Sequence, residues 1–147
     1  MIRLAVDRTH GRRFVEQLRA AGLDVTTMAD VWGDGAAQRT DLDWIRWAGA
    51  RRRIALTADD SIHLLRAKRE TIQAVRLQVF CFPHGNLPVA DRVRRVLRRR
   101  SAMARLAADH PGPWLAVLYD DRAAITWPPP AAAPTPATPI RAADPGG

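Results

Sequence analysis

The stretch "IALTADDSI", residues 54–62, joins an apolar run to two adjacent aspartates. The run Ile54–Leu56 is short and continuous, which is typical of a strand buried on both faces of a parallel sheet. Asp59 and Asp60 stand just after this strand, before an amphipathic stretch that begins at Ser61. The stretch therefore predicts a strand that leads into a helix, with two carboxylates at the junction.

The same alternation of strand and helix runs along most of the chain. It predicts an α/β fold of three layers, in which a mainly parallel sheet carries helices on both faces. The last two strands form a predicted hairpin across the turn "DDR", residues 120–122, which would add an antiparallel edge. Thr40 is the predicted N-cap of the second helix, and residues 30–39 before it are predicted as a loop. The predicted strands are residues 2–6, 23–28, 53–58, 77–82, 113–119 and 123–127, and the predicted helices are residues 11–22, 41–52, 61–75 and 88–109.

Composition bounds the class of protein. The 147 residues suffice for one domain with a core, and no apolar run approaches the roughly 20 residues that cross a bilayer. Residues 1–127 are predicted to fold, whereas residues 128–147 are rich in proline and alanine and are predicted to be disordered. The start of the chain lacks the pattern of a signal peptide, and the single cysteine, Cys81, excludes an internal disulfide. We therefore expect a cytoplasmic protein without a membrane partner.

Acidic residues fall where strands are predicted to end. Asp7 directly follows the first strand, Asp59 and Asp60 follow the third, and Asp41 opens a helix at the same end of the sheet. Neighbouring strands lie about 4.8 Å apart, so carboxylates at two such ends reach one shared cation. Mg²⁺ or Mn²⁺ suits oxygen ligands of this kind. Each aspartate also has a structural alternative, because Asp favours helix starts, and Asp43 is a candidate to cap its own helix.

Basic residues indicate the partner. The net charge of +8, from 23 lysines and arginines against 15 acids, suits a polyanion such as nucleic acid. Arg8, Arg12 and Arg13 follow Asp7 closely and are the predicted phosphate contacts. Arg12 and Arg13 begin a helix, where the dipole disfavours positive side chains, so a bound anion would offset that cost.

Four stretches of the chain, in their order and spacing, resemble the PIN-like nucleases, in particular the short VapC-related toxin branch. Those relatives show an acid at a strand end before a "LRAAG" helix, an Asp-x-x-Trp helix start, a "Leu-Thr-x-Asp" strand end and a "Gly-Asn-Leu" turn. The resemblance covers about residues 3–107. The stretches are "AVDRTHGRRFVEQLRAAGLDV" (residues 5–25), "TDLDWIRWAG" (residues 40–49), "ALTADDSI" (residues 55–62) and "VFCFPHGNL" (residues 79–87).

The resemblance implies a metal-dependent ribonuclease with an acidic site, paired with an antitoxin protein. Asp7 matches the first acid of the family, and Asp41 matches the acid of the Asp-x-x-Trp helix, with Asp43 close enough to compete. Asp59 matches the acid of the "Leu-Thr-x-Asp" motif. Asn86 matches the asparagine of the turn, where it is either a polar site residue or a turn former.

The chain departs from the family pattern in two places. Many relatives carry a basic residue on each side of the third acid, where this chain has Ala58 and Asp60. Relatives also often carry a glutamate in the following helix, where this chain has Lys68. Asp43, Asp60 or Glu70 would then supply the fourth acid, or the site runs on three carboxylates.

Other motifs keep two interpretations each. Six arginines between Arg92 and Arg100 are predicted on the outer face of the last helix, as a solvated surface, an RNA-backbone groove or a surface for an acidic antitoxin segment. Trp44 and Trp47 lie three apart on one helix, which favours core packing or the contact of a homodimer over base stacking. His10 is a candidate to line the site, because it follows Asp7 closely.

The patterns and the resemblance together predict an endoribonuclease dependent on Mg²⁺ or Mn²⁺, the toxin of a type II toxin–antitoxin pair. Asp7, Asp41 and Asp59 would bind the metal and act in catalysis, and Asp60 or Asp43 would assist. The alternative, from another class, is a catalytically silent PIN-like module that binds nucleic acid or a partner protein. A nucleotide-binding doubly wound domain is a third interpretation, but it needs a glycine-rich loop where the chain offers only Gly11.

Overall fold

The computed structural model describes residues 2–84 and 86–129. Its strands are β1 (Arg3–Val6), β2 (Asp24–Thr27), β3 (Ile54–Leu56), β4 (Gln78–Cys81), β5 (Trp114–Leu118) and β6 (Ala123–Trp127). Its α-helices are α1 (Arg12–Ala20), α2 (Met28–Trp32), α3 (Asp41–Ala50), α4 (Arg66–Val75) and α5 (Val89–Asp109).

The predicted fold class is confirmed. The six strands form one sheet in the order β2-β1-β3-β4-β5-β6, and every neighbouring pair is parallel except β5 and β6. The turn at residues 120–122 joins that antiparallel pair, as predicted. Because β1 and β3 are neighbours, their carboxyl ends lie side by side, which brings the residues after both strands to one place.

Helices cover both faces of the sheet, and each face has its own core. Alternate strand residues point to opposite faces, so Leu4 packs with α1 and α5, whereas Ala5 packs with α3 and α4. Trp44 of α3 is 2% exposed and fills the second core, which confirms core packing for this side chain. The arrangement places the N-terminal ends of α1 and α3 beside the carboxyl ends of β1 and β3.

Two predicted elements were wrong in detail. Residues 30–39, predicted as a loop, contain the end of α2 and a 3₁₀ helix at Gly33–Gln38. The reason is a capping box that starts α2, in which the Asp30 carboxylate accepts from the Thr27 amide at 2.8 Å and the Thr27 hydroxyl accepts from the Asp30 amide.

The helix predicted over residues 61–75 is also interrupted. A 3₁₀ turn spans Ile62–Leu64, and α4 begins after Leu65, whose backbone is extended. Ile62 is buried in the core, whereas Leu64 and Leu65 are exposed, so the first turn of this segment is anchored separately from α4.

The long C-terminal helix confirms its predicted apolar stripe, but not the outward orientation of all its arginines. Val93 and Val96 are buried and Arg94, Arg98 and Arg100 are exposed. Arg92 is instead buried, because its guanidinium lies over the Phe14 ring and its Nε donates to the Leu87 carbonyl at 3.1 Å. The proline-rich segment predicted to be disordered lies, from residue 130 onward, outside the described residues. No helix within the described residues has the length and apolar character to span a membrane.

Candidate active site

The centre of the site is the carboxylate of Asp7, the residue directly after β1. The Asp7 amide donates to the Leu56 carbonyl at the end of β3, at 3.4 Å, so the two strand ends are joined at this point. The side chain is only 7% exposed. A buried aspartate needs hydrogen-bond donors, because an unpaired carboxylate away from water is costly.

Two threonine hydroxyls supply those donors. Thr57 donates to Oδ2 of Asp7 at 2.6 Å, and Thr9 donates to Oδ1 through its hydroxyl and, at 3.1 Å, through its amide. Each hydroxyl also accepts a hydrogen bond from a backbone amide of the loop after β3. The Asp59 amide donates to the Thr57 hydroxyl at 3.1 Å, and the Ala58 amide donates to the Thr9 hydroxyl at 2.8 Å. Both carboxylate oxygens of Asp7 are therefore oriented by groups that the fold fixes.

Burial dominates the electrostatics of Asp7. Loss of water raises the pKa of the Asp7 carboxyl, and the hydrogen bonds from Thr57 and Thr9 offset part of that rise. The negative charge of Asp41 raises the pKa of Asp7 further. These two acids, predicted as site residues from the first and second motifs, are thus within electrostatic reach of each other.

The first turn of α3 contains two acids, Asp41 and Asp43, which make different contacts. The predicted capping box is confirmed: the Asp43 carboxylate accepts from the Thr40 amide at 3.0 Å, and the Thr40 hydroxyl accepts from the Asp43 amide. These contacts lower the pKa of Asp43. Asp41 stands outside the box, and its Oδ2 lies 2.7 Å from Nζ of Lys68 on α4.

Asp59 and Asp60 are not brought into the same cluster. Oδ1 of Asp59 accepts from the amide of Ser61 at 2.9 Å and from its hydroxyl at 2.6 Å, which is a local turn around the aspartate. Asp60 is exposed. Glu70 also lies elsewhere, because it is exposed and pairs with Arg66 one turn away on α4. Among residues 2–84 and 86–129, no three His, Cys, Asp or Glu side chains converge closely enough to hold a metal ion together.

A cleft of about 570 Å³ opens beside Asp7 and is lined by residues of α1 and α2. Arg8 and Arg12 line it, while Arg13 lies on the exposed surface of α1. The Arg8 guanidinium donates to the Arg39 carbonyl. α1 has no side-chain cap and no acid in its first turn, and Glu16, one turn after Arg12, is the acid of α1 that lines the cleft. Asn86 is exposed and bonds to His84 at 2.8 Å, which is the geometry of a turn former.

His10 also lines the cleft but is held in the core. Its ring stacks on Phe14 with centroids 4.1 Å apart, and Arg92 contacts its Nδ1. Burial, with a smaller contribution from the Arg92 charge, lowers the pKa of His10 to about 3. A histidine with such a low pKa stays neutral at physiological pH, so it is not an acid for catalysis. Cys81 is buried in β4, and burial raises the pKa of its thiol to about 12, so it stays a thiol rather than the reactive thiolate.

Sequence reasoning missed three residues of the site. Thr9 and Thr57 orient Asp7, and Lys68 binds Asp41. Thr57 was predictable, because it directly follows β3 and Asp7 directly follows the neighbouring strand β1. A hydroxyl at that position can donate to the Asp7 carboxylate. Thr9 carries the same signal two residues after Asp7. The Lys68 contact depends on how α3 and α4 pack, which local patterns do not encode.

Comparison with known proteins gives one match, to a family model. No curated protein and no solved structure matches the chain. A family model described as a PIN-like domain matches residues 2–84, which is more than half of the chain. The matched segment contains β1 to β4 with Asp7, Asp41, Asp59 and Lys68, and the mainly parallel α/β sheet fits this family. The chain therefore belongs to the PIN-like domain family.

Proposed function

We propose that this PIN-like protein is a ribonuclease that hydrolyses RNA phosphodiester bonds with the help of Mg²⁺ or Mn²⁺. The observation that carries the proposal is the buried carboxylate of Asp7 at the carboxyl edge of the sheet, with the charge of Asp41 close enough to raise its pKa. Two acids held near each other destabilise their ionised forms unless a cation lies near them. A cation at this edge would relieve that cost.

The donor set fits a hard divalent cation. Mg²⁺ commonly binds through one or two carboxylates and fills its remaining positions with water and substrate phosphate. Asp7 and Asp41 would hold it. Asp59, whose Oδ1 is engaged by Ser61, and the exposed Asp60 would reach it only if their side chains turned toward the Asp7–Asp41 pair. When bound, such an ion supplies a water of lowered pKa and neutralises charge on the phosphate.

The protein's own residues prepare the site and position the RNA. Thr9 and Thr57 orient the Asp7 carboxylate, and their hydroxyls are themselves fixed by backbone amides of the loop after β3. Arg8 and Arg12 line the cleft beside Asp7 and would contact the RNA backbone, with Arg13 on the adjacent surface. Asn86 would contact RNA only from outside this cleft, since it lies in an exposed turn. The net charge of +8 favours binding of a polyanion.

The test compares RNA cleavage by the unaltered protein and by the Asp7→Asn and Asp41→Asn variants, with Mg²⁺ or Mn²⁺ and with a chelator. Both substitutions and the chelator should abolish cleavage while circular dichroism stays unchanged. Asp109→Asn is the matched control, because Asp109 is an exposed acid at the last residue of α5. Cleavage by Asp7→Asn at the rate of the control would overturn the proposal.

We further propose that the protein is the toxin of a type II toxin–antitoxin pair in the cytoplasm, with a cognate antitoxin as its partner. The family assignment and the resemblance to the VapC-related branch support this. Expression should stop bacterial growth, Asp7→Asn should remove the effect, and co-expression of the protein encoded immediately upstream should restore growth. Growth arrest that persists with Asp7→Asn would contradict a nuclease toxin.

A second candidate is a catalytically silent PIN-like module that binds RNA or a partner protein. Two observations favour it: the Asp41 carboxylate is already paired with Lys68, and three acids do not converge among the described residues. Such a module would bind RNA without cutting it and would gain no thermal stability from Mn²⁺. Stabilisation by Mn²⁺ that Asp7→Asn removes would exclude it.

A further inference from the structure

The one lysine of the chain lies at the acidic site. Lys68 places its Nζ 2.7 Å from Oδ2 of Asp41, and its side chain is only 19% exposed, against 40% for Asp41. Arginine is used at all the other Lys/Arg positions. The Arg66–Glu70 pair on the same helix is much more exposed, whereas Arg53–Asp24 is buried to a similar degree. The Lys68–Asp41 pair is thus a partly desolvated contact between two helices, where charge is screened less than on the surface.

Helix packing delivers this ammonium to the site. Lys68 lies one turn before Ile72, the fully buried residue of α4, and so points toward α3 rather than to solvent. α3 and α4 approach closely: a Cβ built on Gly49 would stand 2.5 Å from Cβ of Val75. This close approach at the far ends of the helices fixes the spacing at which Lys68 meets Asp41 at their near ends.

The ammonium changes the charge that the site presents to a cation. Asp7 and Asp41 together carry two negative charges when ionised, and the ammonium of Lys68 offsets one of them. A divalent ion that enters must share Asp41 with a cation that is covalently attached and already in place. The same ammonium favours a phosphate, because the two carboxylates balance only two of the three positive charges that Lys68 and a divalent metal bring together.

We propose that Lys68 is a positioning residue that acts as a built-in cation: it holds Asp41, weakens the binding of free divalent metal, and makes tight metal binding depend on a phosphate group of the substrate. The inference rests on the proposed function, since it takes Asp7 and Asp41 as the metal ligands. It adds that the protein without RNA is largely metal-free at low metal concentration, and that RNA and metal bind cooperatively.

The first experiment measures Mn²⁺ affinity by titration calorimetry, without RNA. Lys68→Gln should bind Mn²⁺ roughly tenfold more tightly than the unaltered protein, because one nearby positive charge is removed. Lys68→Glu should bind still more tightly, and Lys68→Arg should stay within about twofold of the unaltered protein, since it keeps the charge. Arg66→Gln is the matched control, because it removes one charge from the exposed side of the same helix. Unchanged or weaker Mn²⁺ binding by a folded Lys68→Gln overturns the inference.

A second experiment needs no substitution. Adenosine 5′-monophosphate should raise the Mn²⁺ affinity of the unaltered protein by roughly tenfold, and adenosine without phosphate should not. Equal Mn²⁺ affinity with and without the monophosphate overturns the inference, even if every Lys68 variant fails to fold.

The inference and the proposed function fail in different ways. If Lys68→Gln tightens Mn²⁺ binding and an added Asp41→Asn reverses the gain, the role of Lys68 stands, whether or not RNA is cleaved. If the unaltered protein cleaves RNA through Asp7 but Lys68→Gln leaves Mn²⁺ affinity unchanged, the nuclease proposal stands and the role of Lys68 is overturned.

Discussion

Asp7 and Asp59 follow two neighbouring strands at the same edge of the sheet, yet they differ in burial and in the source of their hydrogen bonds. Asp7, after β1, is buried and takes its hydrogen bonds from Thr57, fifty positions away, as well as from Thr9. Asp59, after β3, is half-buried and takes its hydrogen bonds from Ser61, two positions away. From the sequence alone, the motif around Asp7 and the motif around Asp59 indicate a functional acid equally well.

The difference shows what distinguishes a site residue from a turn former. A carboxylate that is satisfied within its own turn needs no other element of the fold, and its contacts stabilise the loop alone. A carboxylate that is held by two separate loops is oriented by the tertiary structure and is costly to bury. A buried carboxylate whose pKa is raised is the kind of group found at functional sites, which is why Asp7 is the stronger candidate for catalysis.

The largest test of this comparison sets Asp7→Asn against Asp59→Asn. Replacing Asp7 should lower the rate of RNA cleavage by more than roughly 100-fold, because a metal ligand matters at least as much as its hydrogen-bond partners. Replacing Asp59 should lower the rate by less than about tenfold, since its carboxylate is engaged by Ser61. Single-turnover cleavage of a labelled RNA measures both rates. A loss from Asp59→Asn as large as that from Asp7→Asn would mean that the turn opens to deliver a third ligand.

The next test removes the hydroxyl that links the two groups. Thr57→Val keeps the shape of the side chain but leaves Oδ2 of Asp7 without its donor and the Asp59 amide without its acceptor. Mn²⁺ affinity should fall roughly 10- to 100-fold, and the free energy of unfolding should fall by about 1–3 kcal/mol.

Ser61→Ala is the matched control for Thr57→Val. It removes the hydroxyl that donates to Asp59 but leaves the Ser61 amide in place, so it should change the free energy of unfolding by less than about 0.5 kcal/mol. Chemical denaturation and calorimetry measure the two quantities. Equal effects of the two substitutions would contradict the distinction between the fold-held and the locally held acid.

The pH dependence of stability offers a third test. The pKa of Asp7 is raised in the folded protein, chiefly by burial, so between its ordinary value of 3.8 and the raised value the folded state binds more protons than the unfolded state. Asp7 therefore lowers stability as the pH rises through that window, and the loss is complete above the raised pKa. Asp7→Asn carries no such penalty, so its melting temperature should exceed that of the unaltered metal-free protein by a margin that grows with pH.

Thermal unfolding followed from about pH 4 to about pH 8 measures this margin. Mn²⁺ should reduce the margin by stabilising only the protein that retains Asp7. A margin that shrinks with rising pH would contradict a raised pKa for Asp7.

The strand and helix pattern predicted the sheet and the position of Asp7, because parallel strands buried on both faces have short apolar runs with clear ends. It also predicted the Thr40 capping box, which is a local contact over three residues. The pattern missed α2. This helix starts at a capping box formed by Thr27 and Asp30, and the predicted loop at residues 30–39 separated these two residues. The pattern misassigned Arg92 because an arginine can be buried only where a partner from another element, here His10, is available.

The acids of the candidate site were predictable only in part: Asp7 and Asp41 are within electrostatic reach of each other, whereas Asp59 and Asp60 form no metal-holding cluster with them among the described residues. Which of Asp41 and Asp43 stays outside the capping box depends on the cap, and the cap was predicted. Which carboxylate Lys68 neutralises depends on the packing of two helices that are separated by β3 in the chain. Long-range pairings of this kind follow from the tertiary structure and leave no local pattern.

The smallest expected effect is that of Asp60→Asn, which returns to the second aspartate of "LTADDSI". Asp60 is exposed and stands where relatives tend to carry a basic residue. Its substitution should change the free energy of unfolding by less than about 0.5 kcal/mol and the cleavage rate by less than about threefold. Asp60→Lys should instead increase RNA affinity modestly, because a positive charge at the edge of the site attracts phosphate, and the gain should vanish as salt rises. Loss of cleavage by Asp60→Asn would make this residue the missing acid and would move the metal site from the Asp7–Asp41 side to the loop after β3.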